Sequence, residues 1–130
     1  MFPGFGGGVN WGSVAVDRER KILVTNVFRL AMWVRLHARA PGSTGGNQRG
    51  TPYTMTRAPL VSQTGLPCNK PPWGTLVAVN LASGEIEWEI PFGGIPDLVE
   101  IPGSENWGSP SFGGTHDHRW GFDIHCRCHG

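Results

Sequence analysis

The stretch WGTLVAVNLASGEIEWEIPFG, residues 73–93, leaves the chain little choice of fold class. Residues 76–80 form a run rich in Val and Leu, as a strand requires. Residues 81–84 end in a glycine that can take a positive φ angle, which suits a tight turn. In the returning segment, Ile86, Trp88 and Ile90 alternate with Glu85, Glu87 and Glu89. Side chains of a strand point to opposite faces in turn, so this alternation predicts a hairpin with one buried face and one wet face.

The same signature recurs upstream. VNWGSVAVD (9–17) alternates apolar with small or polar residues, RERK follows as a charged turn, and ILVTNVF (22–28) returns as a β-branched strand. In RLAMWVRL, Leu30, Met32, Val34 and Leu36 recur with period two and suggest a strand. Leu30, Trp33 and Val34 also share a helical face, which leaves a short helix open. PGSTGGNQRGTP (41–52) is a turn-rich loop, and Pro71 and Pro72 exclude regular structure from GLPCNKPPWG. Glycine (20) and proline (11) make up nearly a quarter of the 130 residues, while six Trp and six Phe argue against disorder. Short strands joined by many turns satisfy both facts, so the expected fold class is all-β.

Eleven Lys and Arg stand against ten Asp and Glu, so overall charge suggests neither nucleic acid nor a strongly charged partner. MFPGFGGGVN has neither the basic nor the apolar region of a signal peptide. Arg29 and Arg35 interrupt the most apolar segment, and no run reaches the ~18 residues of a membrane helix. The expectation is a chain with no transmembrane segment. Cys68 stands alone, with no histidine close in sequence, and is not expected to be a nucleophile.

The hairpin resembles the tryptophan-docking repeat of the quinoprotein dehydrogenases, Ala-x-Asp-x-x-Thr-Gly-Lys-x-x-Trp. Ala78, Asn80, Ser83, Gly84, Glu85 and Trp88 occupy those places, with Asn for Asp, Ser for Thr and Glu for Lys. Ala15 and Asp17 look like the start of a second repeat. FPGFGGGVNWGSVAVD, TPYTMTRAPLVSQTGLPCNKPPWG and the hairpin follow in the order seen in the membrane-bound PQQ-dependent glucose, quinate and polyol dehydrogenases. Over residues 1–114 the chain is similar to the C-terminal third of that family. The resemblance implies an eight-bladed β-propeller with PQQ on its axis. At roughly 40–50 residues per blade, this chain provides about two four-stranded blades, a partial propeller that cannot close the ring.

It further implies oxidation of a sugar or polyol by hydride transfer to PQQ, with Ca2+ or Mg2+ as Lewis acid and ubiquinone as electron acceptor. The complete enzyme would face the periplasm from the inner membrane. The family's catalytic base precedes this region, so no catalytic residue is expected here. The expected cofactor-binding residues are Asn10 and Trp11, in GGVNWG, and Asn26, after ILVT. The plainer roles for the three are a turn residue, blade packing and a strand-end cap. Trp88 is expected to dock blades, and Trp73 to cover a blade edge. A non-catalytic propeller scaffold built from the same repeats is the alternative, against which GLPCNKPPWG and GGVNWG argue.

The tail THDHRWGFDIHCRCHG gathers four of the five histidines and two of the three cysteines. His125, Cys126, Cys128 and His129 could bind zinc chemically, but they lack the usual Cys-x2-4-Cys and His-x3-5-His spacing. Read one nucleotide later, with synonymous codons, the tail spells P-M-I-T-A-G-G-L-I-F-I-A-A-A-T, close to the strand this family carries after Gly113-Gly114. The expectation for residues 115–130 is an out-of-frame, unstructured tail, with no metal site.

Overall fold

The computed structural model describes residues 1–10, 12, 14–42, 48–111, 115–118 and 121–124. The described residues form strands and turns, with two short 3-10 turns at Pro96–Leu98 and Ser104–Asn106. Four strands make the central antiparallel sheet: β1 (Ala15–Asp17), β2 (Ile22–Phe28), β5 (Gly74–Asn80) and β6 (Ile86–Pro91). Between β2 and β5 the chain leaves the sheet as a ribbon of β3 (Met32–Ala38) and β4 (Tyr53–Pro59). It returns as β5 (Gly74–Asn80) and β6 (Ile86–Pro91), giving the order β1-β2-β5-β6. The all-β expectation and the partial-propeller architecture hold. One four-stranded sheet is complete among the described residues, because residues 30–72 go into the ribbon and its loops.

β2 and β5 pair over their whole length, from Ile22 opposite Asn80 to Phe28 opposite Gly74. Val24, Leu76 and Ala78 are buried on one face of this pair, with Ile22 and Phe92 packed against them. The segment RLAMWVRL resolves as strand, since Met32–Ala38 pairs with Tyr53–Pro59. A helix there would leave the polar backbone of β4 without its partner.

Two turns use one device. Before each lies Ala-Val-Asp or Ala-Val-Asn, ending β1 at Asp17 and β5 at Asn80. The Asp17 carboxylate accepts the backbone N–H groups of Glu19 and Arg20, both at 2.9 Å. The Asn80 side-chain oxygen accepts those of Ala82 (2.8 Å) and Ser83 (3.2 Å). Four residues after the anchor the backbone is left-handed in both, at Lys21 (φ 56°) and Gly84 (φ 76°). The second repeat suspected at Ala15 and Asp17 is therefore present in the geometry. The backbone N–H of Arg20, aided by its guanidinium, holds the Asp17 carboxyl below the usual carboxylate range. Its contribution to stability is complete above the unfolded pKa and is lost as pH falls through the lowered native one.

The hairpin carries one departure from simple alternation. Ala78 faces Trp88 but Val79 faces Ile86, so a bulge lies at Glu87, whose carboxylate accepts from the Asn80 amide at 2.7 Å. The expected buried face is open: Ile86, Trp88 and Ile90 are all exposed. β6 is the edge strand of the sheet, and nothing in the described chain lies over it. Periodicity marks the side meant to be covered, without supplying the cover.

At the other end, residues 107–109 lie against the start of β5. The Trp73 backbone N–H donates to the Trp107 carbonyl at 2.6 Å, and the Ser109 backbone N–H to the Phe92 carbonyl at 2.8 Å. The Trp73 and Trp107 rings meet edge to face at 5.5 Å. A Cβ on Gly74 would overlap the Ser109 carbonyl, so only glycine admits this approach.

Residues expected to be unstructured in the tail form a hairpin, β7 (Thr115–His118) with β8 (Gly121–Ile124), and β7 runs close to β1. Antiparallel pairing satisfies backbone groups whatever the side chains, which is how a segment without strand-like patterning can pair. Residues 125–130, with the four candidate zinc ligands, lie outside the described residues.

Lys21→Gly is expected to raise stability by roughly 0.5–1 kcal/mol, by relieving a left-handed residue that carries a Cβ. Gly74→Ala is expected to cost about 2 kcal/mol or more through overlap with Ser109. Urea unfolding midpoints measure both. Unchanged midpoints would show that neither backbone constraint operates.

Candidate cofactor-facing site

Asn26 sits in the middle of β2, opposite Leu76, in a position otherwise suited to an apolar side chain. It is 6% exposed, and its amide donates to the Ser111 carbonyl at 2.6 Å. It therefore ties the strand to the segment arriving from Trp107. Asn10 lies in the N-terminal loop, where its amide donates to the Gly6 carbonyl at 3.0 Å. Trp11 lies outside the described residues. The two asparagines are nonetheless brought together in one respect. Gly8 forms an antiparallel bridge with Phe28, Asn10 follows it by two residues, and Asn26 precedes Phe28 by two. Both thus occupy the same end of that bridge.

Asn69 acts as a second polar clamp, and the sequence reading passed over it. Its side chain accepts from Ala31 N–H (3.0 Å) and donates to the Arg29 carbonyl (2.9 Å), while its own carbonyl receives the Trp73 indole N–H (2.8 Å). Arg29 returns a bond to the Trp73 carbonyl at 2.8 Å and pairs with Glu89 at 2.6 Å. Arg29 is thus held in a cross-sheet ion pair. Asparagine between Cys68 and Lys70, just before two prolines, was the available signal.

Thr75 was also missed. It is 1% exposed, and its hydroxyl has no hydrogen-bond partner among the described residues. A threonine inside the otherwise apolar GTLVAV run is the trace it leaves in the sequence. Being adjacent to Leu76 on one strand, it points to the face opposite Asn26.

An open, largely apolar cavity of about 360 Å³ lies between the N-terminal loop and the ribbon base, among Phe5, Phe28, Leu30, Met32 and Pro59. Among the described residues Arg57 is the one charged residue lining it, with its guanidinium carbon 3.9 Å from the centre of the Phe5 ring. Such a stack keeps the charge in contact with a π face.

A match to the family described as "PQQ: Glucose/ethanol/alcohol dehydrogenase, beta-propeller domain" spans residues 1–121. The chain belongs to this family. It is 32% identical to the quinate/shikimate dehydrogenase (quinone) of Acinetobacter baylyi, over 87% of this chain and 16% of that protein. It is 32% identical to the quinoprotein glucose dehydrogenase of Escherichia coli, over 88% of this chain and 17% of that protein. The glycerol dehydrogenase large subunit of Gluconobacter oxydans is 32% identical over 71% of this chain and 15% of its own length. The chain thus spans about a sixth of the length of these relatives. No solved structure matches it.

PQQ, the cofactor the family implies, is a flat quinone bearing carboxylates, so its cradle must offer converging donors. Here the amide N–H groups of both asparagines are directed at carbonyls of the chain itself. The buried Thr75 hydroxyl lies on the other face, and the cavity beside Phe28 is apolar. The described residues do not by themselves make a PQQ cradle. Among the described residues no group of His, Cys, Asp and Glu is placed to hold a metal ion.

Asn26→Ala is expected to cost about 1–2 kcal/mol, because the buried Ser111 carbonyl loses its donor. Thr75→Val, which removes an orphaned hydroxyl, is expected to be neutral or stabilising by about 1 kcal/mol. Thermal unfolding of the two variants reads these opposite signs. A destabilised Thr75→Val would mean that the hydroxyl has a partner.

Proposed function

We propose that this chain is one part of a membrane-bound PQQ-dependent dehydrogenase that oxidises a hydroxyl of an aldose or polyol and passes the electrons to ubiquinone. The match across residues 1–121 carries this reading. The relatives' names give it a substrate class, since quinate, shikimate, glucose and glycerol are all polyhydroxy compounds and the first is oxidised with a quinone. PQQ would supply the hydride acceptor, and Ca2+ or Mg2+ a Lewis acid, when bound in the complete propeller. Asn26, Asn10 and Trp11 are this chain's contribution to the cofactor's surroundings on this reading. The complete enzyme acts at the periplasmic face of the inner membrane. Residues 115–130 are an out-of-frame continuation of the gene, and resequencing across the codons of Gly113 to Thr115 tests that directly.

The 130-residue chain by itself is inactive on this reading. Among the described residues one four-stranded sheet with open edges encloses no axial site, and open edges favour aggregation. The purified chain, given PQQ and Ca2+ or Mg2+, should therefore oxidise neither glucose, quinate nor glycerol with a ubiquinone analogue. Turnover by the chain alone would overturn its inactivity. A chimera tests the rest: residues 1–111 should replace the matching segment of the glucose dehydrogenase with activity retained. In that chimera Asn26→Ala should weaken PQQ binding measured by absorbance titration. A folded chimera that binds no PQQ would favour a scaffold role.

A further inference from the structure

The near-neutral charge balance hides a division along the chain. No Asp or Glu occurs between Lys21 and Glu85, and no Lys or Arg between Lys70 and Arg119. The cationic stretch includes the β3–β4 ribbon, and the acidic stretch runs from β6 through the two 3-10 turns. Among the described residues one ion pair joins the two stretches, Arg29 with Glu89. Charges segregated in this way make each stretch complementary to the other stretch of a second copy.

Several of these charges are occupied within the chain. The Arg39 guanidinium donates to the carbonyls of Gln48, Thr51 and Tyr53 at 3.1–3.2 Å, Arg57 stacks on Phe5, and Glu87 accepts from the Asn80 amide. Arg35, Asp97 and Glu100 are exposed and enter no ion pair among the described residues. Strand alternation puts Trp33, Arg35 and His37 on one face of the ribbon, with Thr54, Thr56 and Ala58 as their partners on β4. Val34 and Arg57 lie on the other face, which Phe5 reaches. Trp33 is 41% exposed, so the first face offers an aromatic ring two residues from an unpaired guanidinium. In the acidic stretch, Val99 and Ile101 flank Glu100. Val99, at 74%, is the most exposed of the large apolar residues described. Exposed apolar groups beside charge mark a place of contact.

We propose that the chain pairs with a second copy of itself through two equivalent contacts. In each, the Val99–Ile101 segment of one copy packs on the Trp33 and Arg35 face of the other copy's ribbon. Val99 covers the Trp33 ring, and the Glu100 carboxylate, with Asp97 near it in sequence, accepts from the Arg35 guanidinium. Two-fold pairing fills both patches on both copies, which closes the assembly at two. Aromatic residues and arginine are enriched at such interfaces, and an arginine–carboxylate pair adds geometric specificity. A polyanion would meet Arg35 but leave Val99 and Glu100 unmatched; a second copy supplies a partner for all of them. The β6 row of Ile86, Trp88 and Ile90 takes no part, and the proposal does not draw on the catalytic reading.

Sedimentation equilibrium of the intact 130-residue chain at low and high salt measures the pairing. A dimer that weakens as salt is added is the expected result. Arg35→Glu and Glu100→Arg should each raise the dissociation constant about tenfold or more, because each sets like charges against one another. One chain carrying both substitutions should pair again with nearly the original affinity, as should an equimolar mixture of the two single variants. Circular dichroism checks that the exposed substitutions leave the sheet intact. A chain that stays monomeric at low salt overturns the proposal. So does pairing that neither reversal changes, or that the double variant fails to restore. Association abolished by Trp88→Lys and untouched by Arg35→Glu also overturns it, and assigns the contact to the open β6 edge.

Discussion

The pairing of β2 with β5 is the contact on which the rest of the structure depends. These strands stand far apart in sequence, with the whole ribbon and a proline-rich loop between them. Closing so long a connection costs conformational entropy before any contact is made, so the pairing must be strong and its register unambiguous. Seven residue pairs and the Val24, Leu76 and Ala78 cluster meet the first condition. The second comes from Asn69, which joins the ends of the excursion by bonding Arg29, Ala31 and Trp73 together. The ribbon can then project from the sheet without disturbing it.

Around this pair, the same chemistry ends both flanking hairpins. Asp17 and Asn80 are different residues doing one job, since either side-chain oxygen can accept two backbone N–H groups in a tight turn. A repeat of this kind lets a propeller build similar blades from diverged sequence. The substitutions from the family's repeat do not disturb it. Asn80 even gains a bond through its amide, to Glu87, that an aspartate could not donate.

The polar residues inside the sheet show how structure and function are difficult to separate here. Asn26 is buried in a strand, which is costly unless its amide is satisfied, and Ser111 satisfies it. That bond explains the residue within this chain. Thr75 has the opposite standing, buried with its hydroxyl unpartnered among the described residues.

From the sequence alone came the all-β class, the hairpin at residues 73–93, the second repeat beginning at Ala15, and the family resemblance, because period-two patterning and turn residues act locally. The sequence could not tell that Ile86, Trp88 and Ile90 remain uncovered, since alternation records which side a residue faces and not whether anything lies on it. It left RLAMWVRL open between strand and helix, and β4 decided the matter by supplying a backbone partner. Nor did it single out Gly74, Asn69 or Thr75, whose meaning lies in neighbours distant along the chain: the Ser109 carbonyl, the Arg29 and Trp73 backbone, and a packed sheet face. Local patterning determined what kind of elements this chain makes. Only the tertiary structure decided which backbones touch, because close approach and burial are properties of pairs of segments and not of either one.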